Sequence, residues 1–90
     1  MDIKELLEIL EKYRIKFDKR KSMTKEGYTI IAFPHRQHDF YTACKYMTDW
    51  AYKNNAKTYV NEDYQYFMLS FENMYHTVQV KIVKTNLLGA

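Results

Sequence analysis

Two stretches of this chain change sides at every residue. Over 64–71, Phe67, Leu69 and Phe71 fall on one side and Tyr64, Tyr66, Met68 and Ser70 on the other. Over 77–84, Val78, Val80 and Ile82 oppose Gln79, Lys81 and Val83. A period of two predicts antiparallel strands with one face buried. The second face is unusual for solvent, because it gathers two tyrosines, a methionine, a lysine and a glutamine. That mixture suits a platform that stacks against a partner. Residues 72–76 connect the pair. Three further β segments precede it. Tyr13, Ile15 and Phe17 alternate with Arg14, Lys16 and Asp18, a strand with a basic outer side. Residues 28–33 are β-rich and stop before Pro34, which disfavours continuing a ladder. Residues 56–60 form a short β-prone segment, followed by a turn at 61–63.

Where the period lengthens, helices are expected. Ile3, Leu6, Leu7 and Leu10 stand at i, i+3, i+4, i+7 within 2–12, an amphipathic stripe. Asp2 and Glu5 provide a capping-box-like start, and Lys4 and Glu8 sit at ion-pair spacing. A second helix spans 37–54, with a core stripe of Phe40, Ala43, Cys44, Met47, Trp50 and Ala51. It carries another stripe, Tyr41, Lys45, Thr48 and Tyr52, predicted to be partly exposed. Asn54 and Asn55 mark its stop, since Asn tolerates the left-handed conformation.

The predicted order is α-β-β-α-β-β-β. Both helical stripes need a sheet face, so the expected fold is α+β, with two helices on one face of a mainly antiparallel five-stranded sheet. Its other face stays at least partly open, as antiparallel sheets allow. Ninety residues make one domain, 1–90, with a tail at 85–90 that is expected to fray. A core this small gains from nine Tyr, five Phe and one Trp, which bury large areas.

Charge changes the picture more than composition does. The net charge is +3, but Lys12, Arg14, Lys16, Lys19, Arg20, Lys21 and Lys25 face only Asp18 between residues 12 and 25, a local +6 that leaves −3 elsewhere. Residues 19–27 are polar and join two strands, so the basic block is expected on a hairpin with a mobile connection. Such a block contacts phosphate or an acidic protein surface, or is simply a solvated tip.

Catalytic signatures are weak. His35 and His38 stand three apart, with His76 and Asp39 as further conceivable ligands, but zinc needs three or four ligands in fixed geometry. His35, Arg36 and His38 near a helix start also suit a phosphate. Glu62 and Asp63 are adjacent in a solvated turn, which does not separate their pKa values as acid–base work requires. Two glycines, Gly27 and Gly89, make no phosphate loop. The single cysteine, Cys44, excludes an intramolecular disulfide and a cysteine-based zinc site. It reads as a small core hydrophobe. One unpaired cysteine, no signal-like start and no apolar run of about 20 residues predict a cytoplasmic protein off the membrane.

The expected function is therefore non-enzymatic binding, without a cofactor or metal. The nucleic-acid or partner surface is expected from Arg14, Lys16, Lys19, Arg20, Lys21, Lys25, Arg36, Lys45, Tyr66 and Lys81. Aromatic stacking, about 1–3 kcal/mol per base, combined with cationic contacts is how single strands are held, and RNA proteins often present such side chains from an open sheet. The same features equip a protein hot spot. A short chain rich in Lys, Asn, Tyr and Ile looks like a bacteriophage accessory protein, and RNA or single-stranded nucleic acid is the expected partner. An antitoxin or an inhibitor of a host defence nuclease fits that setting. The alternatives are a protein–protein inhibitor of a host enzyme, a homodimer that buries the Tyr/Met face, and a metal-dependent hydrolase using His35 and His38.

Overall fold

The computed structural model describes residues 3–61 and 65–84. Its elements are α1 (Lys4–Lys12), β1 (Lys16–Lys21), β2 (Glu26–Phe33), α2 (Gln37–Asn54), β3 (Lys57–Val60), β4 (Tyr66–Glu72) and β5 (His76–Val83). The order is the expected α-β-β-α-β-β-β. The five strands form one sheet in the order β1-β2-β5-β4-β3. Three pairings are antiparallel, and the β2–β5 pairing is parallel. The last strand is thus inserted at the centre of the sheet between β2 and β4, which α2 and β3 separate along the chain.

Register explains the core. Phe17, Ala32, Ile82 and Phe67 stand opposite one another in succession across the sheet, as do Ile30, Val80 and Leu69 in the next row. These residues face the helices, where Leu6, Leu10, Phe40, Ala43, Met47 and Trp50 close over them. The helical periodicity predicted this stripe, except that Cys44 is only partly buried at its margin. Burying one large apolar side chain here contributes roughly 1.5–3 kcal/mol.

Both helices end in left-handed residues. At the end of α1, Arg14 adopts φ 55°. Its N–H donates to Glu11 O and that of Ile15 to Leu10 O, which satisfies carbonyls that a helix end otherwise orphans. Buried Ile15 then packs into the same core as Leu10. The predicted strand at 13–18 therefore starts later: Tyr13 to Ile15 form the helix stop, and pairing begins at Lys16. It also runs further, to Lys21, so only residues 22–25 connect the hairpin. Arginine in this conformation is strained by about 1–2 kcal/mol, part of which glycine's greater unfolded freedom would offset. Arg14→Gly is expected to raise stability by about 0.5–1 kcal/mol, read as a higher urea midpoint; an unchanged or lower midpoint would mean the arginine side chain has a compensating contact.

At the end of α2, Asn55 adopts φ 57°, and the N–H of Ala56 donates to Ala51 O. At the start of α1 the capping residue is Ile3, with no side-chain cap. Asp2 lies outside the described residues, as do Glu62, Asp63, Tyr64 and the expected tail at 85–90. Asn61 is described: its Oδ1 accepts from the N–H groups of Gln65 and Tyr66 and so anchors the start of β4.

Candidate nucleic-acid or partner interface

The helices cover one side of the sheet and leave the other open. Among the described residues on the open side, only Thr77 is buried. The register places these side chains in rows. Lys16, Phe33, Val83 and Tyr66 form one row; Asp18, Ile31, Lys81, Met68 and Tyr59 form the next; Arg20, Thr29, Gln79, Ser70 and Lys57 form a third. Apolar and aromatic side chains (Phe33, Val83, Tyr66, Ile31, Met68 and Tyr59) fill the first two rows around Lys81 on the central β5, and Lys16, Arg20 and Lys57 stand on the two edge strands. Phe33 is 37% exposed and Tyr59 55%, both large hydrophobic side chains that reach solvent on this face.

Two contacts order this face. The Lys81 ammonium sits 4.5 Å from the Tyr66 ring centroid, a cation–π contact worth about 0.5–1 kcal/mol at an exposed site. The Tyr59 and Tyr66 rings lie 6.2 Å apart and tilted by 41°. The Lys81 ammonium is thereby held over the Tyr66 ring, which in turn meets Tyr59. Lys16, Arg20, Lys57 and Lys81 face Asp18 and Glu72 here, so the open face carries net positive charge.

Of the predicted surface residues, the fold brings Lys16, Arg20, Tyr66 and Lys81 onto this one face. It does not bring the others. Lys19 and Lys21 alternate to the helix side of β1, where Lys19 Nζ lies 5.0 Å from the Tyr28 ring. Lys25 is engaged at the sheet's end: its Nζ donates to Asn73 O at 2.8 Å and lies 3.4 Å from a Glu72 oxygen. Arg36 pairs with Asp39 at 3.0 Å across the first turn of α2. Arg14 forms the α1 stop. Lys45 lies on the outer side of α2, over the Tyr46 ring.

The exposed stripe of α2 is present but belongs to the opposite side of the molecule. Tyr41 there accepts hydrogen bonds from Lys84 Nζ at 3.1 Å and Gln37 Nε2 at 3.3 Å. The lysine bond first, then the amide bond, holds its phenol below the usual tyrosine range. Tyr13 and Tyr46 stack with centroids 5.9 Å apart. Their hydrogen bond raises Tyr13 and lowers Tyr46, so Tyr46 loses its proton first.

Phe33, Ile31, Tyr59 and Lys57 complete the face and were not singled out by sequence reasoning. In 30–33 apolar residues follow one another without alternation, so nothing local separates Phe33 and Ile31 from Ile30 and Ala32. Tyr59 reaches the face only because β3 pairs with β4, opposite Met68.

The histidines do not converge. His35 and His38 are exposed near the start of α2, whereas His76 pairs opposite Glu26 at the far end of β2, a strand length of about 23 Å away at 3.3 Å per residue. Among the described residues no group of three or more His, Cys, Asp or Glu is placed to hold a metal. No helix among them is long and apolar enough to cross a membrane.

Burial pushes the Cys44 thiol up to about 12. The thiolate is the nucleophile, so a disulfide reagent at pH 8 is expected to label the native protein much more slowly than the urea-unfolded protein. Equal rates would place the thiol in solvent. A raised folded pKa also means that this contribution to stability is intact below the unfolded value and is lost as pH rises towards 12.

No family model matches the chain, and no curated protein matches it.

Proposed function

We propose that this protein binds single-stranded nucleic acid, RNA or DNA, across the uncovered face of its sheet. The observation that supports this most is the joint placement of Phe33, Tyr66 and Tyr59 with Lys16, Arg20, Lys57 and Lys81 on that one face. The bases stack on the rings, and the cations take the phosphates. Five strands span about 19 Å at their usual spacing, which suits a short site near the lower end of the roughly 4–16 nucleotides held by comparable sheet surfaces. Under the phage setting expected from composition, the bound strand is the co-ligand through which an antitoxin or a nuclease inhibitor engages its target.

The test is a titration of labelled oligouridine and oligothymidine at low salt, followed by fluorescence anisotropy. Four cations on the face predict a salt slope of about −3, at roughly −0.7 per phosphate neutralised on a single strand. Absence of binding at low salt would sink the proposal.

One observation favours a second reading. Ile31, Val83 and Met68 make an apolar strip that bends around Lys81 across the three inner strands, and Asp18 and Glu72 lie on the same face. Such a strip suits a protein partner or a second copy of the chain. Sedimentation at micromolar concentration separates these: a dimer that dissociates in Met68→Lys supports self-association, and a monomer that binds no oligonucleotide supports a different protein.

A further inference from the structure

One edge of the sheet has no strand beside it among the described residues. β1 stands first in the order β1-β2-β5-β4-β3 and pairs with β2 alone. Its register shows which backbone groups remain. The Ser22 N–H donates to Gly27 O at 3.0 Å, so residue 22 turns its backbone groups towards β2. That direction alternates along an antiparallel ladder, so Lys16, Asp18 and Arg20 also bond to β2. Phe17, Lys19 and Lys21 turn their N–H and C=O groups outward. No other strand or turn of the described residues takes up these groups.

Charge and shape say what such an edge accepts. Lys16, Lys19, Arg20 and Lys21 stand along β1 against Asp18 alone. Lysines on an edge strand oppose pairing with a like strand. A second copy would set this excess of cations against its own image. Beside the start of β1 lies a cavity of about 390 Å³, lined by Ile15, Lys16, Phe17, Asp18 and Phe33. Phe17 and Phe33 belong to opposite faces of the sheet, so the cavity reaches round the free edge. Lysines that merely keep an edge unpaired need no apolar hollow beside them.

We infer that the β1 edge takes an extended acidic segment of a partner protein as a sixth strand. The segment's backbone meets the outward groups of Phe17, Lys19 and Lys21, the strand-addition mode of peptide recognition. Its carboxylates lie beside Lys19, Arg20 and Lys21, and an apolar side chain enters the cavity. Running antiparallel to β1, the segment is acidic first and apolar last. A nucleic-acid strand has no backbone N–H donors to alternate with acceptors in such a ladder. The edge shares the side chains of Lys16, Arg20 and Phe33 with the open face, but this inference does not rest on single-strand binding.

The test uses a terminally blocked peptide of three glutamates followed by three valines, with amide exchange of the protein followed by NMR. Without peptide, the amides of Phe17, Lys19 and Lys21 are expected to exchange at least about ten-fold faster than the bonded amides of Asp18 and Arg20. The peptide is expected to slow the three fast amides and leave their neighbours unchanged. Lysine in place of its glutamates turns cross-strand attraction into repulsion and is expected to weaken binding by about ten-fold or more. Lys19→Pro removes one outward N–H and keeps the pairing with β2, because proline is accepted where the N–H faces solvent. That variant is expected to lose the peptide, whereas Lys19→Ala retains part of the affinity. Methylating the peptide amides that face β1 is expected to abolish binding to the unaltered protein as well. No protection at millimolar peptide, equal affinity for the lysine peptide, or full binding of the methylated peptide would each overturn the inference. So would a dimer in sedimentation that Lys19→Pro dissociates, which gives the edge to a second copy, or protection of the same amides by oligouridine. Oligouridine that binds without protecting them, or fails to bind at all, decides the open-face proposal separately.

Discussion

Gly27→Ala is expected to cost about 3–4 kcal/mol of folding stability, from backbone strain and steric overlap of roughly 1–3 kcal/mol each. Gly27 has φ 145°, a conformation that is essentially confined to glycine. An added Cβ would overlap the carbonyl oxygen of Thr77 and stand 2.8 Å from its carbonyl carbon. These are backbone atoms of β5 at its parallel pairing with β2, so no rotamer change relieves the clash. The two strands would have to separate at the centre of the sheet. For a domain of this size the loss lowers the melting temperature by about 12–30 °C, at roughly 4–8 °C per kcal/mol. Thermal and urea melts followed by circular dichroism measure it. Gly27→Asn is expected to fare no better, because asparagine tolerates the left-handed helical region and not this one. A loss under 1 kcal/mol in both variants would mean that β2 and β5 are not in close register at this point.

The two left-handed helix stops show how far local sequence carries. Asn55 was legible, because asparagine is among the few residues that accept positive φ and it follows an amphipathic run. Arg14 was not, because arginine has no such preference and Tyr13, Ile15 and Phe17 alternate like a strand. The Ile15 contact with the α1 core and the two carbonyls it helps to satisfy decide that position, and both are tertiary facts. The same limit applies to Lys19, Arg20 and Lys21. Three consecutive cations read as a loop, yet β2 supplies their pairing partners, and the alternation of an actual strand then sends them to opposite sides.

The buried faces of β4 and β5 were legible for the opposite reason. Each has one covered and one uncovered side, so apolar and polar residues must alternate, and a slip of one residue would expose Phe67, Leu69, Val80 and Ile82 together. β2 lies between β1 and β5 and is apolar on both sides over residues 30–33, so its two faces cannot be distinguished by pattern. Beyond the β1–β2 hairpin, strand order was not legible in the chain. Alternation specifies which face a residue takes, not which strand lies beside it, and the parallel pairing of β2 with β5 joins segments about fifty residues apart. The candidate face was accordingly half legible: Tyr66, Met68 and Lys81 came from the alternation of their own strands, while Phe33 and Tyr59 came from pairing.

That division sets the most informative binding variant. Phe33→Ala with Tyr66→Ala is expected to weaken single-strand binding by about 2–6 kcal/mol, at roughly 1–3 kcal/mol per stacked base, a loss of at least about thirty-fold. The salt slope is expected to be nearly unchanged, because neither residue neutralises a phosphate. Lys16→Ala with Arg20→Ala is expected to act the other way, flattening the slope by about 1.4, two phosphates at roughly −0.7 each. Neither pair is buried in the core, so folding should survive; the circular dichroism spectrum and melting temperature check this, with a small loss allowed for Tyr66 because its ring packs against Lys81. The control is Lys19→Ala with Lys21→Ala. These residues belong to the same basic run but alternate to the helix side, and the pair is expected to leave oligouridine affinity on the open face within a few-fold of the wild type when the oligonucleotide carries no terminal phosphate. If the Lys19 and Lys21 pair instead weakens binding as much as Lys16 and Arg20, the basic run acts as one electrostatic block, and the uncovered sheet face is not the surface that holds the strand.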